Sequence, residues 1–243
     1  MTLHFDHAIV LVNDLYKAID HYKKAGFNPF FGGVHAGGKT HNALIVFADG
    51  TYLELLAPTT PELLDNLDPN DFSNFLFLLA QGEGLGGFAL YSDDLPADVE
   101  AIKARGFNVV LKPTNGRARP DGQELKWRTA TRDNGSMTPF FLQDETPRNL
   151  RVPDDEATTT QPNGIRRISS LTIAVPDLVT AIQQYQQMIG IQHTTVDETT
   201  AHFILDNVKL ILALDPDVGA DAKLRDIEFI DIKGEPISIQ KFL

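Results

Sequence analysis

Asp14-Leu15-Tyr16-Lys17-Ala18-Ile19-Asp20-His21-Tyr22-Lys23-Lys24-Ala25-Gly26-Phe27-Asn28 decides the fold, because the chain writes its skeleton again twice. Asp94-Leu95 closes at Gly106-Phe107-Asn108, and Asp177-Leu178-x-x-Ala181-Ile182-x-x-Tyr185 closes at Gly190-Ile191. In the first copy Leu15, Ile19 and Tyr22 fall on one helical face. Asp14 or Asn13 stands where a cap accepts the first free N–H groups, and Gly26 where a left-handed residue ends the helix. An apolar, strand-like run precedes each copy and further strands follow it. A strand–helix–strand unit used three times makes this a repeat architecture.

Outward from the first copy, residues 3–12 read as a buried strand, 27–31 as a second and 32–39 as a glycine-rich loop. Residues 42–47 and 51–56 read as two more strands joined by the turn Asp49-Gly50. The unit is βαβββ. Residues 61–67 and 71–81 suggest two connecting helices, the second burying Phe72, Phe75, Leu76, Leu78 and Leu79. A second unit opens at 88–91, with a helix over 96–105 and strands near 109–112, 124–132 and 139–143. A third opens at 168–175, with strands near 192–196, 202–205 and 208–214, and a closing hairpin about Gly234. Residues 144–163 are rich in Pro, Thr and acids, and read as a linker or long surface crossing. The expected class is α+β, with repeated βαβββ units forming cupped mixed sheets. The expected domains are a paired-unit domain over 1–145, a linker over 146–164 and a third unit over 165–243, which covers the site or mediates homodimerisation.

Composition narrows function. The 243 residues hold no cysteine, which removes disulfides, thiolate metal sites and cysteine nucleophiles. The net charge of −12 argues against general binding to nucleic acid or anionic membranes. No apolar run reaches the length of a membrane span, and no basic-then-apolar leader opens the chain, so a cytoplasmic location is expected. Gly82-Glu83-Gly84-Leu85-Gly86-Gly87 fits G-x-G-x-x-G on paper, but a helix precedes it and a strand follows. That is the reverse of the order that aims a helix N-terminus at a pyrophosphate, so no nucleotide cofactor is expected.

His7 and Glu54 interrupt apolar strands, where an unpaired ionisable group is costly. Strand alternation places His7 with Phe5, Ile9 and Leu11, and Glu54 with Tyr52 and Leu56. If the first and fourth strands are neighbours, the two side chains converge. The pair suits Zn, Fe, Mn or Ni, or a plain His–Glu hydrogen bond. Comparing the copies favours function: Ser170 stands opposite His7 in the third unit and Ile211 opposite Glu54. The second unit offers Gly87 and no carboxylate in 140–143. His35 and His41 flank the glycine-rich loop, and either is a candidate ligand or acid/base group. His4, His21, His193 and His202 have no evident partners. Lys112, Arg117, Arg119, Lys126, Arg128 and Arg132 form a local reversal of charge around Trp127, the only tryptophan. They suit a small anion beside an aromatic wall, or a solvated basic face.

The repeated units, the first-strand His7, the fourth-strand Glu54 and the helix entry Asp14-Leu15 resemble the vicinal oxygen chelate superfamily. Gly32-Gly33-x-His35, Asn42-Ala43-Leu44-Ile45 and Asp49-Gly50-x-Tyr52-Leu53-Glu54-Leu55 are similar to its glyoxalase-like domain subgroup. So are Arg117-x-Arg119-Pro120-Asp121-Gly122, Trp127-Arg128 and Pro139-Phe140-Phe141. The resemblance implies a cupped sheet holding a divalent metal (Zn, Ni, Mn or Fe) that stabilises a substrate oxyanion. Carried over, His7 and Glu54 are the metal ligands and Glu54 and His35 the catalytic pair. Arg117, Arg119, Trp127 and Arg128 are expected to bind a small, oxygen-rich, anionic substrate. The chemistry implied is that of a lyase, isomerase or dioxygenase. The departure is that Gly87 offers no ligand from the partner unit. The other reading is a metal-free protein that binds or sequesters a small molecule.

Overall fold

The computed structural model describes residues 3–65, 67, 74–132, 139–219 and 221–243. The first unit runs β1 (Leu3–Leu11), α1 (Leu15–Lys24), β2 (Phe30–His35), β3 (Thr40–Val46) and β4 (Tyr52–Pro58). After a 3-10 turn (Pro61–Leu64) comes α2 (Asn74–Leu79). The expected helix over 61–67 is therefore one short turn, and Phe72 of the expected helix 71–81 lies outside the described residues. The second unit runs β5 (Gly84–Ser92), α3 (Leu95–Ala104), β6 (Val109–Leu111), β7 (Asn115–Ala118), β8 (Glu124–Arg132) and β9 (Phe140–Asp144).

Two short helices follow, α4 (Arg148–Arg151) and α5 (Glu156–Thr159). The third unit is β10 (Ile165–Val175), α6 (Leu178–Ile189), β11 (Thr195–Val196), β12 (Thr200–Leu205) and β13 (Val208–Leu214). The chain closes with β14 (Lys223–Asp231), β15 (Pro236–Ser238) and a 3-10 turn (Ile239–Lys241). No helix among the described residues is long and apolar enough to cross a membrane.

The three helix entries share one mechanism. The carboxylates of Asp14, Asp94 and Asp177 accept from N–H groups of the first turn of α1, α3 and α6. Gly26, Gly106 and Gly190 follow the helices at φ 79°, 86° and 72°, where a Cβ would be strained. Each helix buries one apolar face: Leu15, Ile19 and Tyr22 on α1; Leu95, Val99 and Ile102 on α3; Leu178, Tyr185 and Met188 on α6.

Strand pairing turns the first two units into a ring. The sheet runs β6-β8-β7-β2-β3-β4-β1-β5-β9, and β9 also pairs with β8. The β1–β4 and β5–β9 pairs are parallel and the others antiparallel. The expected cup is thus closed on itself, the last seam being β2–β7, where Val34 meets Ala118 and His35 meets Arg117. The third unit forms a separate sheet, β11-β12-β13-β10-β14-β15. There β10 is parallel to β13 and antiparallel to β14, as β1 is to β4 and β5. A single apolar core joins the two sheets, with Phe27 and Phe47 of the first unit against Phe229, and Phe27 against Phe242.

Residues 146–164, expected to be a linker or long surface crossing, run as a strap against the ring. Arg151 and Val152 are buried, and Gln161 donates from Nε2 to the Val46 carbonyl (2.7 Å) and accepts at Oε1 from the Asn28 N–H (2.8 Å).

Candidate functional site

The ring encloses a cavity of about 470 Å³. The β2–β3 hairpin (Ala36, Gly37, Lys39) and the β6–β7 connection (Lys112, Pro113, Thr114) line part of it. His7, His35, Asn42, Glu54 and Arg117 face it, together with an apolar wall that includes Ile9, Phe75, Trp127, Phe140 and Leu142.

A bulge in β1 positions His7. Pairing with β5 steps from Phe5–Leu90 to His7–Ala89 and leaves Asp6 as the extra residue. Phe5 therefore packs in the main core with Ala8 and Val10, while His7 and Ile9 face the cavity. This corrects the alternation expected from sequence, which put Phe5 beside His7. Glu54 enters from β4 between Tyr52 and Leu56, as alternation predicts, and its Cα is paired with Ile9 on one side and Leu44 on the other.

The Glu54 carboxylate is the meeting point of three side chains. His7 Nε2 lies 3.2 Å from Oε2, without the alignment of a hydrogen bond. Asn42 donates from Nδ2 to Oε1 (2.7 Å), and His35 Nε2 lies 3.7 Å from that same oxygen. His35 Nδ1 meets Thr40 Oγ1 at 2.9 Å, and Asn42 Nδ2 approaches His35 Nε2 at 3.4 Å. An N–H at Nδ1 and a lone pair at Nε2 satisfy both contacts. The His7 ring stacks on Tyr52 (centroids 4.4 Å) and meets the edge of Phe140, and His35 meets the edge of Trp127.

Behind His7 lies an ionic network that the sequence reading did not single out. Asp6, with none of its surface exposed, meets His7 Nδ1 through Oδ2 at 2.8 Å. Arg151 donates to Asp6 (3.0 and 3.3 Å), to Asp144 (2.7 and 2.9 Å) and to the Tyr52 hydroxyl (2.6 Å). Arg148 bonds Asp6 and the Gly50 carbonyl. The sequence signal was an acid in the apolar run of β1 and two arginines three residues apart in a stretch whose composition reads as solvent-facing.

These contacts set opposite protonation preferences. Burial alone would raise the Asp6 carboxyl, but Arg151, Arg148 and the His7 bond together hold it well below the usual carboxylate range. Burial would likewise raise Glu54, yet the close His7 ring, the His35 imidazole and the Asn42 bond hold it at about 2. For His7, burial favours the neutral ring, but its bond to Asp6 and the close Glu54 carboxylate outweigh that and raise its pKa. His35 goes the other way: burial lowers it, Glu54 compensates in part, and Arg117 and His41 lower it further.

The other candidates separate cleanly. Arg117 and Trp127 line the cavity. Arg119 and Arg128 do not: Arg119 pairs with Asp121 and the Leu150 carbonyl, and Arg128 pairs with Glu145 at the surface. Alternation explains Arg128, since Trp127 points inward and its neighbour must point out. His41 faces away from the cavity, against the edges of Tyr16 and Phe31. His4 pairs with Asp206 and His21 meets the Phe242 carbonyl.

For a metal, the donor set is His7 Nε2 and Glu54, a pair rather than a cage. Among the described residues no three His, Cys, Asp or Glu side chains are grouped to hold an ion. His35 reaches only toward the Glu54 oxygen that Asn42 already occupies. The residues present therefore do not form a closed protein-only metal site.

The sequence profile of the glyoxalase-like domain matches residues 5–189. Among solved structures, a hypothetical protein from Staphylococcus aureus superposes with a TM-score of 0.74 at 16% identity, covering 97% of this chain and 98% of that one. A fusion of a xylose isomerase-like TIM barrel with 4-hydroxyphenylpyruvate dioxygenase gives 0.55 at 15% identity, covering 95% of this chain and 37% of that one. Streptomyces coelicolor methylmalonyl-CoA epimerase gives 0.43 at 21% identity, covering 60% and 100%. At such identities the likeness is one of fold. No curated protein matches the sequence.

Proposed function

We infer, for a chain that belongs to the glyoxalase-like domain family of the vicinal oxygen chelate superfamily, that the ring is the active site of an enzyme moving a proton within a small oxygen-rich substrate. One observation carries this reading. Two histidines flank a single ionised carboxylate in one cavity, and their surroundings push their pKa values in opposite directions. Such a division separates acid from base.

His35, kept neutral with its Nε2 lone pair beside the cavity, is the base for a C–H next to a carbonyl. The proton passes to Nε2, and the electron pair moves onto the carbonyl oxygen as an enolate. Glu54 stabilises the imidazolium so formed. His7, held between Asp6 and Glu54, donates toward the developing oxyanion. Return of the proton to the other face gives an isomerase, and expulsion of a leaving group from the neighbouring carbon gives a lyase.

In a metal-dependent form of this reading, His7 Nε2 and Glu54 would be the residues that hold the ion. This form is favoured by the buried Nε2 that lacks a hydrogen-bond partner while Asp6 engages Nδ1. A bound ion would supply Lewis-acid stabilisation of the oxyanion.

The test is solvent deuterium exchange, followed by NMR, into a panel of dicarbonyl and 2-oxo compounds, with and without added Zn, Ni, Mn or Fe. Exchange that is lost in His35→Ala and in Glu54→Gln supports the assignment. Exchange unchanged in both variants sinks it. Absence of exchange across the panel in either condition turns the reading to a binding or sequestering protein. Elemental analysis of wild type beside His7→Ala/Glu54→Ala decides the metal-dependent form.

A further inference from the structure

Arg117 and Arg151 are both buried arginines, 5% and 3% exposed, yet their surroundings differ sharply. Arg151 spends its donors on two carboxylates and a phenol. Arg117 makes a single hydrogen bond of 3.4 Å, from Nη2 to the Arg151 carbonyl, and has no carboxylate partner among the described residues. A guanidinium carries five N–H donors, and leaving a buried charge so poorly answered is costly. Arg119 and Arg128, on the same ribbon but at the surface, each have a carboxylate. Of the two buried arginines that line the cavity, Arg151 is paired with carboxylates and Arg117 is in no ion pair among the described residues.

The backbone makes room for this head group. A Cβ on Gly32 would stand 2.9 Å from Arg117 Nη1 and would also overlap Asn42 Oδ1. The remaining wall is apolar, with Ile9, Leu56, Phe75, Trp127, Phe140 and Leu142 around a volume ample for a ring-sized body. Arg148 and Arg151 are committed to Asp6 and Asp144, so Arg117 is left with the through-space attraction of Glu54 and no ion pair of its own among the described residues. A planar fork of donors matches a carboxylate bidentately.

We propose that the cavity takes a monocarboxylate with an apolar body, its carboxylate seated on Arg117 and its body against the Phe75–Trp127–Phe140 wall. This rests on the cavity being the functional site, and it names the class of molecule that enters. Recognition needs no turnover, so binding and exchange can fail separately.

The experiment is titration of the intact protein by calorimetry and Trp127 fluorescence with propanoate, 3-phenylpropanoate, 3-phenylpropanamide and phenyl phosphate. The expected order puts 3-phenylpropanoate first, with the neutral amide and the short acid each weaker by about tenfold or more. In Arg117→Met the acid is expected to fall to the affinity of the amide, while the amide itself is unchanged. Arg117→Lys, which keeps the charge and loses the fork, should fall between. Equal binding of acid and amide by wild type overturns the proposal without reference to any variant. Equal binding of the long and short acids removes the apolar body. Preference for phenyl phosphate overturns the carboxylate, and absence of binding by every probe at millimolar concentration overturns the whole. If probes bind but no exchange occurs, the carboxylate site stands and the catalytic reading falls. Exchange on a substrate insensitive to Arg117→Met does the reverse.

Discussion

Arg151→Met is the sharpest perturbation of the scaffold beneath the site. The substitution keeps an unbranched apolar stem and removes the guanidinium alone. Asp6 and Asp144 lose two bonds each and Tyr52 loses its partner, all at buried side chains. Asp6 keeps Arg148 and His7, whereas Asp144 keeps only Arg148 at 4.0 Å. Removing one member of a buried ionic network typically costs about 3–5 kcal/mol, because the remaining charge stays buried. For a chain of this size that corresponds to a fall in Tm of roughly 6–20 °C.

The assay is urea denaturation and thermal melting of wild type, Arg151→Met, Asp6→Asn and the double variant at neutral pH. A coupling energy of about 1–3 kcal/mol is expected from the cycle. The pH dependence carries a sign. Asp6 has a depressed folded pKa, so its stabilisation is present above the ordinary value of 3.8 and is lost as pH falls toward the folded value. The gap between wild type and Arg151→Met must therefore narrow in acid. A loss below about 1 kcal/mol at neutral pH, the scale of an exposed ion pair, would refute the reasoning.

Four further outcomes are expected. Glu54, held at about 2 against 4.5, contributes stability on the order of 3 kcal/mol that is present above its unfolded value and lost between about pH 5 and pH 2; Glu54→Gln should flatten that limb in acid unfolding. The same variant should lower the raised pKa of His7, whose stabilisation has the opposite sign, full below its unfolded value and lost as pH rises through the folded one; a histidine NMR titration measures it. Gly33→Ala should open the β2–β7 seam, since φ is +140° and a methyl would overlap the Ala118 carbonyl oxygen; faster amide exchange at Val34 and Ala118 is the readout. Gln161→Ala should destabilise by about 1–3 kcal/mol in thermal melts, because it strands the buried Val46 carbonyl and the Asn28 N–H that it bridges.

How much of this is legible in the sequence depends on the range of the forces involved. The helices are, because a capping Asp, an apolar face and a left-handed Gly are local. The closure of the cup is not, because β7 is four residues long and the β2–β7 seam rests on two residue pairs. His7 and Glu54 stand out as ionisable groups in apolar strands, but alternation misplaced Phe5, since a bulge obeys pairing with a distant strand. Asp6 went unmarked for that reason. Arg148 and Arg151 were hidden by composition: Pro, Thr and acids around them indicate solvent, while the two side chains fill a buried charge deficit made by Asp6 and Asp144. Arg117, Arg119 and Arg128 look alike as residue types, and only the fold distinguishes the one that faces inward.

The third unit shows that the polar cluster is not demanded by the scaffold. Its strands keep the register of the first: Ser170 pairs with Lys209 as His7 pairs with Tyr52, and Thr172 with Ile211 as Ile9 with Glu54. At the positions of His7 and Glu54 the third unit carries a Ser, bonded to Glu228, and an Ile. In the first pair of units, the antiparallel partner of β1 places Ala89 beside His7. The same strand-and-helix frame is thus built without a histidine, without the facing carboxylate and without the arginine clamp behind them. Where they do occur, each is desolvated, and each requires the others: Glu54 needs His7 and Asn42, His7 needs Asp6, and Asp6 needs Arg148 and Arg151. A frame that folds without such a chain of buried charges does not need it for stability, and replacing buried ionic groups with apolar ones is often neutral or favourable. Its placement on strands that line the cavity of the ring, beside an arginine in no ion pair among the described residues, argues that the cluster is there for what enters the ring.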